Sequence, residues 1–165
     1  MRKLFVLTTV LAQITIWGTT AASAQAHPSP RQHQVAEGSF IVTHWTSEPY
    51  QTTPDGATLS RFSCTDTIQG DVRGDGSAEA QMFNRLDGGT SYAGMILITG
   101  QLAGRSGSFI VQTVGTSVGT ASSSTWTVVP GSGTGELRDL RGDGVEIGSE
   151  TEGWRAHYRL DYYFQ

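Results

Sequence analysis

Two side chains have the type and setting to move protons, His44 and Glu79. An imidazole titrates near neutral pH and serves as a general base, and His44 follows Phe40 and Val42 at alternate positions of one extended segment. Glu79 stands between Ala78 and Ala80. Turned into an apolar interior, its carboxyl would keep its proton to higher pH and become a proton-transfer group. His44 and Glu79 are therefore the candidate catalytic residues. Tyr92, Gln112 and Trp126 are the candidate ligand-binding residues, the aromatics by stacking and the amide by hydrogen bonding. His157, Arg159 and Asp161 alternate along the last segment and read as a solvated, salt-bridged face.

Other chemistries fail on residue type. Pro130-Gly131-Ser132-Gly133-Thr134-Gly135 has the glycines of a phosphate-cradling loop, but such a loop needs a following lysine and hydroxyl. Glu136 follows instead, and Lys3 is the only lysine, so no nucleotide site is expected. Cys64, the single cysteine, alternates with Phe62 and Ile68 and reads as a buried, inert thiol. His-Glu-x-x-His and paired cysteines are both missing, and His27 and His33 stand in a lead-in without further ligands nearby. Neither a metal nor a cofactor is expected. Asp71-Val72-Arg73-Gly74-Asp75-Gly76 echoes Asp139-Leu140-Arg141-Gly142-Asp143-Gly144. Shared turn chemistry explains the echo better than an adhesion tripeptide or a calcium loop, whose spacing it misses.

The elements that would position these residues are strands. Period-two alternation recurs and helical periodicity does not. Strands are expected over 39–46, 57–70, 77–85, 91–102, 107–116, 122–129, 144–148 and 154–164. Glycine turns separate them, among them Pro54-Asp55-Gly56, Gly74-Asp75-Gly76, Asp87-Gly88-Gly89, Gly104-Arg105-Ser106-Gly107 and Gly142-Asp143-Gly144. Eight strands with short connections imply an all-β, mainly antiparallel barrel or sandwich. Several strands carry an aromatic on their apolar side, and an eight-stranded barrel either fills itself or holds one small ligand.

Arg2 and Lys3, an apolar run from Leu4 to Trp17, and Ala22-Ser23-Ala24 form the charge, apolar and small-residue order of a secretory signal. Residues 1–24 are expected to be removed on export, with Ala26 as the second choice of cleavage point. Residues 25–36 form a flexible lead-in and 37–165 the barrel domain. The run is too short and polar for a comfortable membrane span, so no stable span is expected after cleavage. Without Arg2 and Lys3, nine arginines face fifteen acidic residues. This acidic, lysine-free balance provides no electrostatic footprint for nucleic acid.

The order Gly38-x-Phe40-x-Val42-x-x-Trp45, Glu48-Pro49, Gly100-x-Leu102-x-Gly104-Arg105-x-Gly107-x-Phe109 and Val128 to Leu137 with Leu140-Arg141-Gly142 resembles the bacterial family called domain of unknown function 3224. The resemblance runs from about Gly38 to Phe164. It implies a single eight-stranded barrel similar to allene oxide cyclase and related in shape to lipocalins and dirigent proteins. Glu79 and Gln112 fall on positions the family commonly fills with the same types. Gly94-Met95-Ile96-Leu97 stands where relatives carry Gly-Leu-Glu-Arg, and Gln112-Thr113 where they often carry Gln-His, which implies a greasier interior here. Barrels of this shape serve as cyclases, isomerases and binders, so fold alone does not select a function. The leading expectation is an exported barrel that binds a small, largely apolar molecule. A cofactor-free cyclase or isomerase using Glu79 and His44 is the alternative, and a filled structural or assembly barrel the third. A homodimer fits the size of the domain.

Overall fold

The computed structural model describes residues 32–165. The expected signal segment and most of the expected lead-in lie outside them. Eight strands follow in order: β1 (Gln34–Thr52), β2 (Thr58–Gly70), β3 (Val72–Asn84), β4 (Thr90–Leu102), β5 (Arg105–Val118), β6 (Ala121–Val128), β7 (Leu140–Ser149) and β8 (Arg155–Phe164). Each is antiparallel to its neighbours, and β1 pairs with β8 from Gln34↔Tyr162 to Ile41↔Arg155, closing one barrel. Closure pairs every strand with two neighbours, β1 pairing with β2 alone beyond Ile41, and decides for the barrel over the sandwich.

Alternation then sorts the side chains. The end at which β2 turns into β3 and β4 into β5 is packed solid. Ile98, Leu102, Phe109, Leu137, Leu140 and Leu160 are all fully buried there. Above them Trp126 stacks between Phe40 and Tyr158, with ring centroids 6.0 and 5.7 Å apart. Two such aromatic pairs contribute about 0.5–1.5 kcal/mol each beyond their buried area.

The glycine-rich connection from β6 to β7 runs along β5. The Thr134 amide donates to the Ser108 carbonyl at 2.8 Å, and the Ser108 amide to Thr134 Oγ1 at 2.9 Å. A short 3-10 turn at Gly135–Leu137 then drops Leu137 into the core. Gly135 has φ of 57°, a left-handed conformation that favours glycine. The Glu136 carboxylate accepts from the Ser106 amide at 2.8 Å, so it holds the chain's own backbone.

Four strand ends differ from the sequence expectation by four residues or more, one of them the end of β1, at Thr52 rather than 46. β1 begins at Gln34, inside the expected lead-in, because Gln34 to Glu37 pair with β8. β3 and β7 begin at Val72 and Leu140, so Gly74-Asp75-Gly76 and Gly142-Asp143-Gly144 lie within strands rather than in turns. A Cβ on Gly74 or Gly142 would collide with the Thr99 or Asp161 carbonyl oxygen across the sheet. These glycines permit close strand approach, and the Arg-Gly-Asp echo is two strand segments meeting that one demand.

Candidate functional site

The upper half of the barrel is hollow. A cavity of about 220 Å³ opens between the β1–β2, β3–β4, β5–β6 and β7–β8 connections. Phe40, Phe62, Met82, Tyr92, Ile96 and Trp154 supply most of its apolar wall. At the rim Trp45 lies against both Phe62 and Trp154, with centroids 6.3 and 6.4 Å apart. Trp154 has φ of 63°, a strained value for a bulky residue, just before β8 begins.

Small residues on β3 create the space. Ala78 and Ala80 face inward where large side chains would fill the lumen. Gly76 pairs with Asp66, and a Cβ there would sit 3.1 Å from Asp66 Oδ2. Gly115 pairs with Tyr92, whose ring covers it so closely that a Cβ would lie 2.5 Å from Cζ. An aromatic laid over a neighbouring glycine protects the backbone of a curved sheet and fixes the ring.

Two carboxyls line this apolar space, Asp66 on β2 and Glu146 on β7, at 5% and 8% exposure. The Cys64 thiol donates to Asp66 Oδ1 at 3.5 Å, and the Ser124 hydroxyl donates to Glu146 Oε2 at 2.8 Å. No arginine, lysine or histidine lines the cavity. Burial pushes the Asp66 carboxyl up to about 6, with the thiol opposing and the Glu146 charge adding to the rise. Burial raises Glu146 as well, against the Ser124 hydroxyl and the nearby Trp126 indole. The Trp126 N–H itself makes no well-formed hydrogen bond, and neither does the buried Thr113 hydroxyl on the cavity wall. Burial, then Asp66, lifts the Cys64 thiol to about 12, so it stays protonated and unreactive, as its place among Phe62 and Ile68 suggested. Burial and Glu146 likewise raise the Tyr92 phenol.

The five expected site residues divide between two sides of the wall. Tyr92 lines the cavity. Trp126 points inward but lies below it, as a packed layer in the aromatic stack. Gln112 is exposed on the outside of β5, beside outward-facing Met95. Glu79 is also exposed, paired with Ser63 and Met95, because Ala78 and Ala80 take the inward positions of β3. His44 is displaced by a β-bulge. The register slips between Val42↔Asp66 and His44↔Thr65, which turns His44 outward and Trp45 inward opposite Cys64. Neither expected base can reach a molecule in the lumen. Any proton transfer there falls to Asp66 or Glu146.

Sequence reasoning missed those two. Asp66 shares the parity of Phe62, Cys64 and Ile68, a usable signal. Glu146 stands between Gly144 and Gly148, while its apolar neighbours Val145 and Ile147 face solvent, so hydrophobicity pointed the wrong way. Among the described residues no group of three or more His, Cys, Asp or Glu could hold a metal ion. No helix among them is long and apolar enough to cross a membrane.

Fold and site together define a closed eight-stranded barrel, solid at one end and hollow at the other. Residues 36–162 match the family described as protein of unknown function (DUF3224), and the chain belongs to that family. It is similar to the crystal structure of a protein with unknown function from the DUF3224 family of Shewanella oneidensis MR-1, at 25% identity and a TM-score of 0.66. That match covers 81% of this chain and 99% of the other. No curated protein matches the chain.

Proposed function

We propose that this barrel binds one small, largely apolar molecule in its upper lumen. The observation that carries the reading is the cavity of about 220 Å³, walled by aromatic and aliphatic side chains and open at one end. Its size lies between a benzene-sized engineered cavity, about 150 Å³, and the lower bound for drug-sized pockets, about 300 Å³. A single-ring molecule or a short branched chain is the matching guest. Such a guest would displace water from surfaces that gain little by being wet. Export, read from Arg2 to Ala26, is part of the same proposal and would make the protein a carrier or scavenger outside the cytoplasm.

Titration with toluene, indole and p-cresol, followed by calorimetry and by protein NMR shifts, tests the proposal. At least one probe should bind saturably with one-to-one stoichiometry. Ala78→Leu, which puts a larger side chain into the lumen, should weaken binding about tenfold or more while leaving the strand circular-dichroism spectrum intact. Absence of saturable binding, or binding indifferent to Ala78→Leu, would overturn it.

A further inference from the structure

We propose that the lumen selects an amine: a small apolar body seated against Phe62, Tyr92 and Ile96, with a protonated nitrogen held by Asp66 and Glu146. This rests on the lumen-binding reading above and names the guest's polar end. Both carboxyl side chains are more than nine-tenths buried, on strands β2 and β7, and both border the same free space. Their recorded partners are few. Asp66 receives only the weak donor of Cys64, and Glu146 the Ser124 hydroxyl with the Trp126 indole N–H close by but not well aligned. A carboxylate can accept about four hydrogen bonds, so much of their capacity is unused beside the cavity they line.

A second, independent feature calls for a polar group on the guest. The Thr113 hydroxyl is buried on the cavity wall at 5% exposure and has no hydrogen-bond partner. Burying such a group unpaired costs roughly 1–3 kcal/mol, which a polar group on the guest, donor or acceptor, would recover. An ammonium brings three donors and a positive charge to a cavity whose own lining holds two acids and no base, Arg155 lining only the adjoining pocket that Glu146 also borders. The Phe62 and Tyr92 rings would add cation–π attraction. A neutral alcohol brings a single donor and leaves the second carboxyl without a partner. A carboxylate guest would add a third negative charge to a space of low polarity. A bare metal ion lacks the required ligand cluster among the described residues, and it would leave the aromatic wall without a function. An organic cation uses both halves of the site.

Benzylamine, benzyl alcohol and benzoate share one ring and differ at the polar end, so they serve as the probes. Calorimetry should show benzylamine binding about tenfold or more tighter than benzyl alcohol, and no benzoate binding. In the Asp66→Asn/Glu146→Gln double variant that preference should collapse to about twofold or less, with benzyl alcohol still bound. Equal affinity for the amine and the alcohol in the unaltered protein would overturn the amine assignment and leave lumen binding standing. An amine preference that survives the double variant would do the same. Failure of every probe, together with failure of the toluene, indole and p-cresol series, would overturn the lumen reading itself.

Discussion

Asp66 is one of two buried carboxyls on the cavity wall, and its burial has a consequence for stability. Folding moves its carboxyl from about 3.8 up to about 6 through burial. The folded state therefore holds that proton more tightly than the unfolded chain does. For a group shifted this way, stability is greatest where the carboxyl is protonated and declines as pH rises through the interval between those two values. The full shift corresponds to roughly 2–3 kcal/mol. Glu146 acts in the same direction, and Cys64 and Tyr92, the other titratable groups facing this space, stay protonated throughout. Thermal melts of the ligand-free protein should show a melting temperature that falls from about pH 4 to about 6, and Asp66→Asn should flatten much of that fall. An equal slope in the variant would show that the burden lies elsewhere. Asp66 was legible in principle, since it alternates with Phe62 and Cys64. Glu79 drew attention instead because its alanine neighbours suggested an interior strand. Those alanines are interior, and alternation therefore puts Glu79 outside.

At the scale of elements, the curvature of the wall sets what the strands can carry. Inward glycines let neighbouring backbones approach, and aromatic rings then cover some of them. Gly107 is the clearest case at the solid end. A Cβ there would collide with the Thr134 carbonyl of the glycine-rich connection, which runs along β5 at this point. Gly107→Ala should cost about 1–3 kcal/mol, measured by urea unfolding. It should leave probe binding in the remote upper lumen unchanged per folded molecule. A variant as stable as the parent would mean that the connection is free to shift, and its role in closing that end would fail. The strands themselves were readable from period-two alternation, eight in number and in the right order. The glycine-built stretch after β6 was also readable as a connection between strands. Two things were not. Glycines inside β3 and β7 carry the same letters as turn glycines, and only cross-strand contacts distinguish them. The bulge after Val42 inserts one residue and inverts the faces beyond it, so parity carried forward from Phe40 put His44 on the wrong side.

The whole molecule is a barrel divided across its axis. One half is filled by leucines, isoleucine and phenylalanine and sealed by Leu137, which supplies the packed core a domain of this size needs. The other half spends alanine and glycine on its inner wall and keeps its space. The Phe40–Trp126–Tyr158 stack is the boundary between them. A barrel with only a structural role would gain stability by filling that space, because each buried methylene contributes about 0.8 kcal/mol. Keeping the cavity, and placing two acids in it, forgoes that stability, which is the pattern of a site organised for a guest. A crystal structure grown with 4-bromophenol, read by the anomalous signal of bromine, tests this most directly. One strong bromine peak is expected inside the barrel, above Phe40 and between Phe62 and Tyr92, and should disappear in Ala78→Leu. Bromine found only on the outer surface, with ordered water filling the lumen, would contradict it.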